Sequence, residues 1–199
     1  MTRWIPAAGV AMMVASAQMV SAQDVNELRK QYDAGHYQEV VGTPADDPRV
    51  AFLVAQSRQK LGQRDEARQT YEQLAARGEA DPWQGVGRSA VALLGGNAGE
   101  AVEAANQAVA RGDSLAEAHF QKGLALSARQ DMAGASAAFE KATELDPAWA
   151  DAHYYAGLAY SKVKRVDLMA QHFDTFLKLA PQSPQRPEVQ SIMRTLGGR

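Results

Sequence analysis

This sequence predicts an all-α fold, a solenoid of antiparallel helix pairs closed at its C-terminal end by a capping helix. Three observations carry that expectation. His119, Gly123, Phe139 and Pro147 return 34 positions later as His153, Gly157, Phe173 and Pro181, and a fixed period of that length is the mark of stacked structural repeats. The residues between those landmarks follow a helical period throughout. Pro and Gly punctuate the chain at the same step, with Asp47-Pro48 and Asp81-Pro82 reading as a capping Asp ahead of a first-turn Pro, and Gly78 and Gly112 as helix stops.

The elements follow in chain order. Met1 to Ala22 carries one cation, Arg3, then an apolar run from Ile5 to Val20 that ends in the small residues Val20-Ser21-Ala22, with no acid before Asp24. Residues 1–22 therefore read as a signal peptide cleaved after Ala22, the mature chain beginning at Gln23. Retention as a membrane anchor is the alternative, but Pro6, Ser16 and Gln18 leave the run short of the roughly 20 clean apolar residues a spanning helix needs. The chain has no cysteine, so an exported form has neither disulfides nor the acceptor thiol of a lipoprotein. A periplasmic or secreted address follows. Loss of Arg3 with the leader moves the net charge from -2 to -3, which suggests neither nucleic acid nor, after cleavage, a membrane as partner.

Residues 23–47 form a degenerate helical hairpin, 24–33 with 36–41, whose second helix is cut short by Gly42-Thr43-Pro44. Four helix pairs then fill 48–181, at 48–61 with 64–77, 82–94 with 98–110, 115–129 with 132–144, and 148–162 with 165–179. The turns inside them fall at Leu61-Gly62, Gly95-Gly96, Gln130-Asp131 and Lys164-Arg165. Residues 182–199 hold the capping helix, about 187–196, with Val189, Ile192, Met193 and Leu196 on one face, and a short tail. Met169 and Phe176 make the seam of the last pair bulkier than the others.

Within each pair the helices must come close, because a lone hairpin cannot bury its own apolar face. Gly123 and Gly157 lie mid-helix, where Gly costs about 1 kcal/mol against Ala, so close approach of the neighbouring helix is the reason for them. Ala135 and Ala142 are small on the same grounds, while Phe139 and Phe173 fill the space between hairpins. His-x2-Lys-Gly-x2-Leu, Ala135-x3-Phe139 and Pro147, repeated as His-x2-Ala-Gly-x2-Tyr, Met169-x3-Phe173 and Pro181, resemble the tetratricopeptide repeat family. The resemblance covers 48–181. It is weakest in the second repeat, which has Arg88-Ser89 at the Gly site and no aromatic at Ala105.

That resemblance implies a right-handed solenoid in which the first helices of successive pairs line a concave groove for a peptide or partner helix. By register the groove holds Phe52, Trp83, Val86, Phe120, Leu124, Tyr154, Leu158 and Lys162, together with Arg49, Gln56, Lys60, Ala90, Glu117 and Asp151. Phe52, Val86, Phe120 and Tyr154 fall at steps of 34 and are expected either to form an exposed apolar track, the material of binding hot spots, or to pack into the next hairpin. Phe120, Leu124, Tyr154 and Leu158 stand where chaperone-binding members of the family carry a Lys/Asn carboxylate clamp, so a partner with apolar or mixed side chains fits better. No catalysis is expected: there is no His-Glu-x-x-His, phosphate-cradling Gly loop or Gly-x-Ser-x-Gly elbow. No cofactor is called for. A metal site at His119 and His153 is discounted, since equivalent positions on adjacent repeats lie roughly 10 Å apart. The function expected is a non-catalytic scaffold or adaptor of the bacterial envelope, binding another protein or peptide. The alternative is a chaperone-like assembly factor serving pilus, outer-membrane or cytochrome maturation.

Overall fold

A computed structural model of the chain describes residues 22–197. The expected signal segment, apart from Ala22, and the last two residues lie outside them. The described residues form α-helices joined by turns, with no strand among them. The first hairpin is α1 (Ala22–Asp33) with the five-residue α2 (Tyr37–Val41). The four longer pairs are α3 (Pro48–Lys60) with α4 (Arg64–Ala75), α5 (Pro82–Leu94) with α6 (Ala98–Arg111), α7 (Ala116–Ala128) with α8 (Met132–Leu145), and α9 (Ala150–Lys162) with α10 (Val166–Leu179). α11 (Arg186–Gly197) closes the stack.

Local chemistry sets these bounds. The Asp47 carboxylate accepts from the Arg49 amide at 2.8 Å and the Asp81 carboxylate from the Trp83 amide at 2.9 Å, each ahead of a proline in the first turn. The turns inside the four pairs share one geometry. Gly62, Gly96, Gln130 and Lys164 all adopt a left-handed backbone, at φ 77°, 80°, 64° and 62°. The amide after each reaches back to the carbonyl five residues earlier, as in Gln63 to Arg58 at 2.9 Å and Asp131 to Leu126 at 2.9 Å. Two of the four turns accomplish this without glycine.

Packing within the pairs follows a small-against-large rule. A Cβ added to Gly123 would lie 2.5 Å from the Phe139 ring, and one on Gly157 would lie 2.5 Å from the Phe173 ring. The approach that requires glycine is thus made by an aromatic ring within the same pair, not by the neighbouring backbone, and it corrects the expectation that these rings fill only the space between pairs. Where the second pair has Ala105 in place of the ring, the glycine site becomes Ser89, fully buried. The close approach there moves to Gly85, where a Cβ would meet the Ala104 carbonyl oxygen at 2.7 Å, and to Gly87, where it would meet the Tyr71 carbonyl oxygen at 2.6 Å. At the far end Val189 of α11 is fully buried as part of the main core.

Candidate functional site

The first helices of the pairs face one another across a cleft of about 330 Å³ lined by Gln56, Gln59 and Lys60 of α3, Leu93 of α5, Phe120 and Leu124 of α7, Asp151 and Tyr155 of α9, and Tyr32 of α1. Of the residues expected in the groove, Gln56, Lys60, Phe120, Leu124 and Asp151 reach this cleft. Of the two arrangements expected for Phe52, Val86, Phe120 and Tyr154, an exposed apolar track or packing against other hairpins, the second holds. Phe52, Val86 and Phe120 are 1% exposed or less, and Trp83 and Tyr154 are also buried. Leu158 is partly buried, Lys162 is exposed, and neither lines the cleft.

The rings are buried because hairpins two apart meet. Phe52 of α3 lies 6.5 Å, centroid to centroid, from Phe120 of α7 and 6.4 Å from Trp149, which precedes α9. Phe120 in turn contacts Trp149 at 4.4 Å and Tyr155 at 5.4 Å. Winding this tight turns the floor of the groove into an aromatic spine, which carries core energy where exposed hot spots were expected. Tyr154 points elsewhere, its hydroxyl donating to Glu188 of α11 at 2.9 Å.

Polar groups around the cleft converge on α1. The Arg29 guanidinium pairs with Asp146 and with Glu117 at 3.4 Å, and lies 4.9 Å over the Trp149 ring. The Tyr32 hydroxyl donates to Asp151 at 2.9 Å. Burial pushes the carboxyls of Glu117 and Asp151 above their usual range, with Arg29 opposing at Glu117 and Lys60, Tyr32 and Arg29 opposing at Asp151. Asp33 is raised to about 8, first by burial and then by the nearby Asp151 and Asp146, against the pull of Arg29. Three atoms here are buried without a hydrogen-bond partner: Arg29 Nε, Asp33 Oδ1 and Gln56 Oε1.

Sequence reasoning missed Arg29, Tyr32 and Trp149. One signal was available. Glu117 and Asp151 stand 34 apart, so an acid recurs at a position of the first helix that the fold buries.

A second polar cluster joins α8, α9 and α10. His153 donates from Nε2 to the Pro147 carbonyl at 3.1 Å, which leaves its Nδ1 to accept from His172 Nδ1 at 3.0 Å. His172 Nε2 meets the Glu140 carboxylate at 2.9 Å, and Tyr160 donates to the same oxygen at 2.7 Å. Burial raises Glu140, but the hydrogen bonds from Tyr160 and His172 prevail and hold it below its usual range. Burial lowers His153. Every contact is satisfied, so the cluster works as an internal tie. His119 is apart from it, its Nε2 meeting the Asp113 carbonyl at 2.8 Å. Among the described residues no three acidic or histidine side chains are placed to hold a metal ion, and no helix is long and apolar enough to cross a membrane.

Comparisons with known proteins agree with this architecture. The tetratricopeptide repeat family matches at residues 49–77 and again at 116–148. No curated protein matches. Among solved structures, a thermophilic tetratricopeptide protein of Thermus thermophilus, TTC0263, is 19% identical with a TM-score of 0.60, over 87% of this chain and 99% of that one. MamA is 16% identical with a TM-score of 0.50, over 81% of this chain and 95% of that one. The helix pairs at a step of 34 residues, the ring-on-glycine packing inside the third and fourth long pairs and the two matching segments, in the first and third long pairs, agree: this chain contains tetratricopeptide repeats.

Proposed function

We propose that the chain is a non-catalytic scaffold of the bacterial cell envelope that holds another protein by a peptide or helix entering the cleft between its first helices. The observation that carries this reading is the cleft itself, where the aromatic side chains of Phe120 and Tyr155 meet a few polar groups, Gln56, Lys60 and Asp151. Concave sites of that make-up are where ligands bind, apolar contact supplying affinity and sparse polar groups supplying selection. The envelope address rests on the charged start, the apolar run and the small residues ahead of Gln23.

Site-specific crosslinking tests it. A photo-crosslinking residue at Gln59, exposed on the cleft rim, should trap a partner in cell-envelope preparations, while one at Glu103 on the second helix of its pair should not. Trapping from Glu103 alone would move binding away from the cleft. Intact mass of the envelope form should begin at Gln23.

A further inference from the structure

Helix α1 stands in two environments at once. Val25, Leu28 and Tyr32, at helical spacing, pack with Val40, Val50, Leu53 and Val54 in an apolar cluster separate from the main core. Its polar side chains reach across to acids between 88 and 119 positions away in the chain, one of which, Asp151, lines the cleft. There Glu117 of α7, Asp146 of the α8–α9 connection and Asp151 of α9 receive one guanidinium and one phenol hydroxyl, with the Trp149 face beneath the cation.

The fit of α1 to this wall is imperfect. Arg29 Nε and Asp33 Oδ1 are buried and unpartnered, and the Asp33 carboxyl lies within the field of Asp151 and Asp146, which Tyr32 and Arg29 engage. Beside α1 the cleft stays open, with the buried Gln56 Oε1 lacking a donor. An occupant that repeated the two matched groups, left out the unpartnered Asp33 carboxyl and supplied a further donor would satisfy the wall better. The aromatic spine beneath is held by other elements, since Phe52, Phe120 and Trp149 belong to the main cluster.

Building on the cleft-binding reading above, we propose that α1 is a resident occupant of an acidic docking wall made by Glu117, Asp146 and Asp151. Its external ligand is a helical segment of a partner protein carrying a cation and, three residues later, a tyrosine, with a neutral residue after it. The partner gains the wall by displacing Arg29 and Tyr32, so α1 sets the threshold for binding.

The probe is a fluorescein-labelled peptide with the sequence of residues 24–36 and Asn in place of Asp33, titrated by anisotropy against the full chain. The Arg29→Met chain, which lacks the internal competitor's cation but keeps its apolar stem, should bind it at least tenfold tighter than the unaltered chain. Adding Glu117→Gln and Asp151→Asn, or replacing the peptide's arginine by alanine, should remove that gain. Circular dichroism establishes that each chain is folded. If Arg29→Met unfolds, Tyr32→Phe, which deletes only the hydroxyl, carries the same comparison with a smaller expected gain. A folded variant chain that ignores the peptide overturns the proposal, as does binding indifferent to the two acid substitutions. A dimer of the unaltered chain that dissociates on Glu117→Gln would make a second copy's α1 the occupant and overturn the partner assignment. The Gln59 crosslink separates the two readings. If it survives while the peptide fails, only the acidic wall is wrong, and if it fails too, so does cleft binding.

Discussion

Gly123→Ala tests the packing logic of the repeats most directly. The substitution raises helix propensity by up to about 1 kcal/mol, which on its own would stabilise α7. The new methyl would, however, sit 2.5 Å from the Phe139 ring. That ring cannot swing aside, because it is packed against Phe120 and stacked on Tyr155, both at 5.6 Å between centroids. Overpacking of this kind costs about 1–3 kcal/mol, so a net loss of about 1–2 kcal/mol is expected. For a chain of this size that lowers the melting temperature by about 2–8 °C. Gly99→Ala is the control, since a Cβ there meets nothing within 4 Å, and its melt should be unchanged or slightly higher. In a Phe139→Leu background the loss from Gly123→Ala should shrink or reverse, giving a coupling of about 1 kcal/mol or more in a double-mutant cycle. Equal shifts for the two glycine variants, or the same loss in both backgrounds, would refute the ring-on-glycine account.

Three further outcomes follow from the same structure. Phe120→Ala should cost about 3–5 kcal/mol in a thermal melt, because it empties the centre of the aromatic spine; a near-native melt would return the ring to the open groove. Gln130→Gly and Lys164→Gly should each stabilise by about 1 kcal/mol, since both residues hold the left-handed backbone that Gly62 and Gly96 adopt freely in the equivalent turns, and an unchanged melt would show those turns to be unstrained. Asp33 has a carboxyl raised from 3.8 to about 8, so the stability it contributes is complete below pH 3.8 and is lost as pH rises toward 8. Asp33→Asn should therefore flatten the decline in melting temperature across that window and gain up to about 4 kcal/mol at pH 7. A parallel decline in both proteins would assign the pH dependence to other groups.

The elements were legible because each is specified by neighbours in sequence. Asp-Pro starts, turn signals and the step of 34 placed every long helix within about two residues of its observed bounds. Even the turns at Gln130 and Lys164, which lack the glycine, were recoverable from register alone. What the groove would look like was not legible. Whether Phe52 and Phe120 face solvent or each other depends on how far each pair rotates against the last, and that rotation is a sum of small contacts along the stack. The repeat pattern is the same for an open and a tightly wound superhelix. Arg29 and Tyr32 were hidden for a related reason, since their partners Asp146 and Asp151 lie 117 and 119 residues away.

Tight winding also decides what kind of recognition the molecule can perform. An open groove with exposed rings at each step would grip a long apolar peptide and select weakly, because every step offers the same contact. Here the rings are spent on the spine, and what remains is about 330 Å³, at the small end of ligand sites. A space of that size takes a side chain or two of a docked segment, so under the proposed cleft binding selection falls to the polar groups that line it: Gln56 with an unpaired oxygen, Lys60 and Asp151. Charge at a buried wall discriminates more sharply than apolar area, because a wrong partner leaves a desolvated group unpaired. The departures from the exposed-groove expectation at Phe52 and Phe120, and the N-terminal hairpin that the repeat pattern describes worst, thus belong to one arrangement. Where the inner face closes on itself, its chemistry passes from the repeated rings to the unrepeated Arg29 and Tyr32.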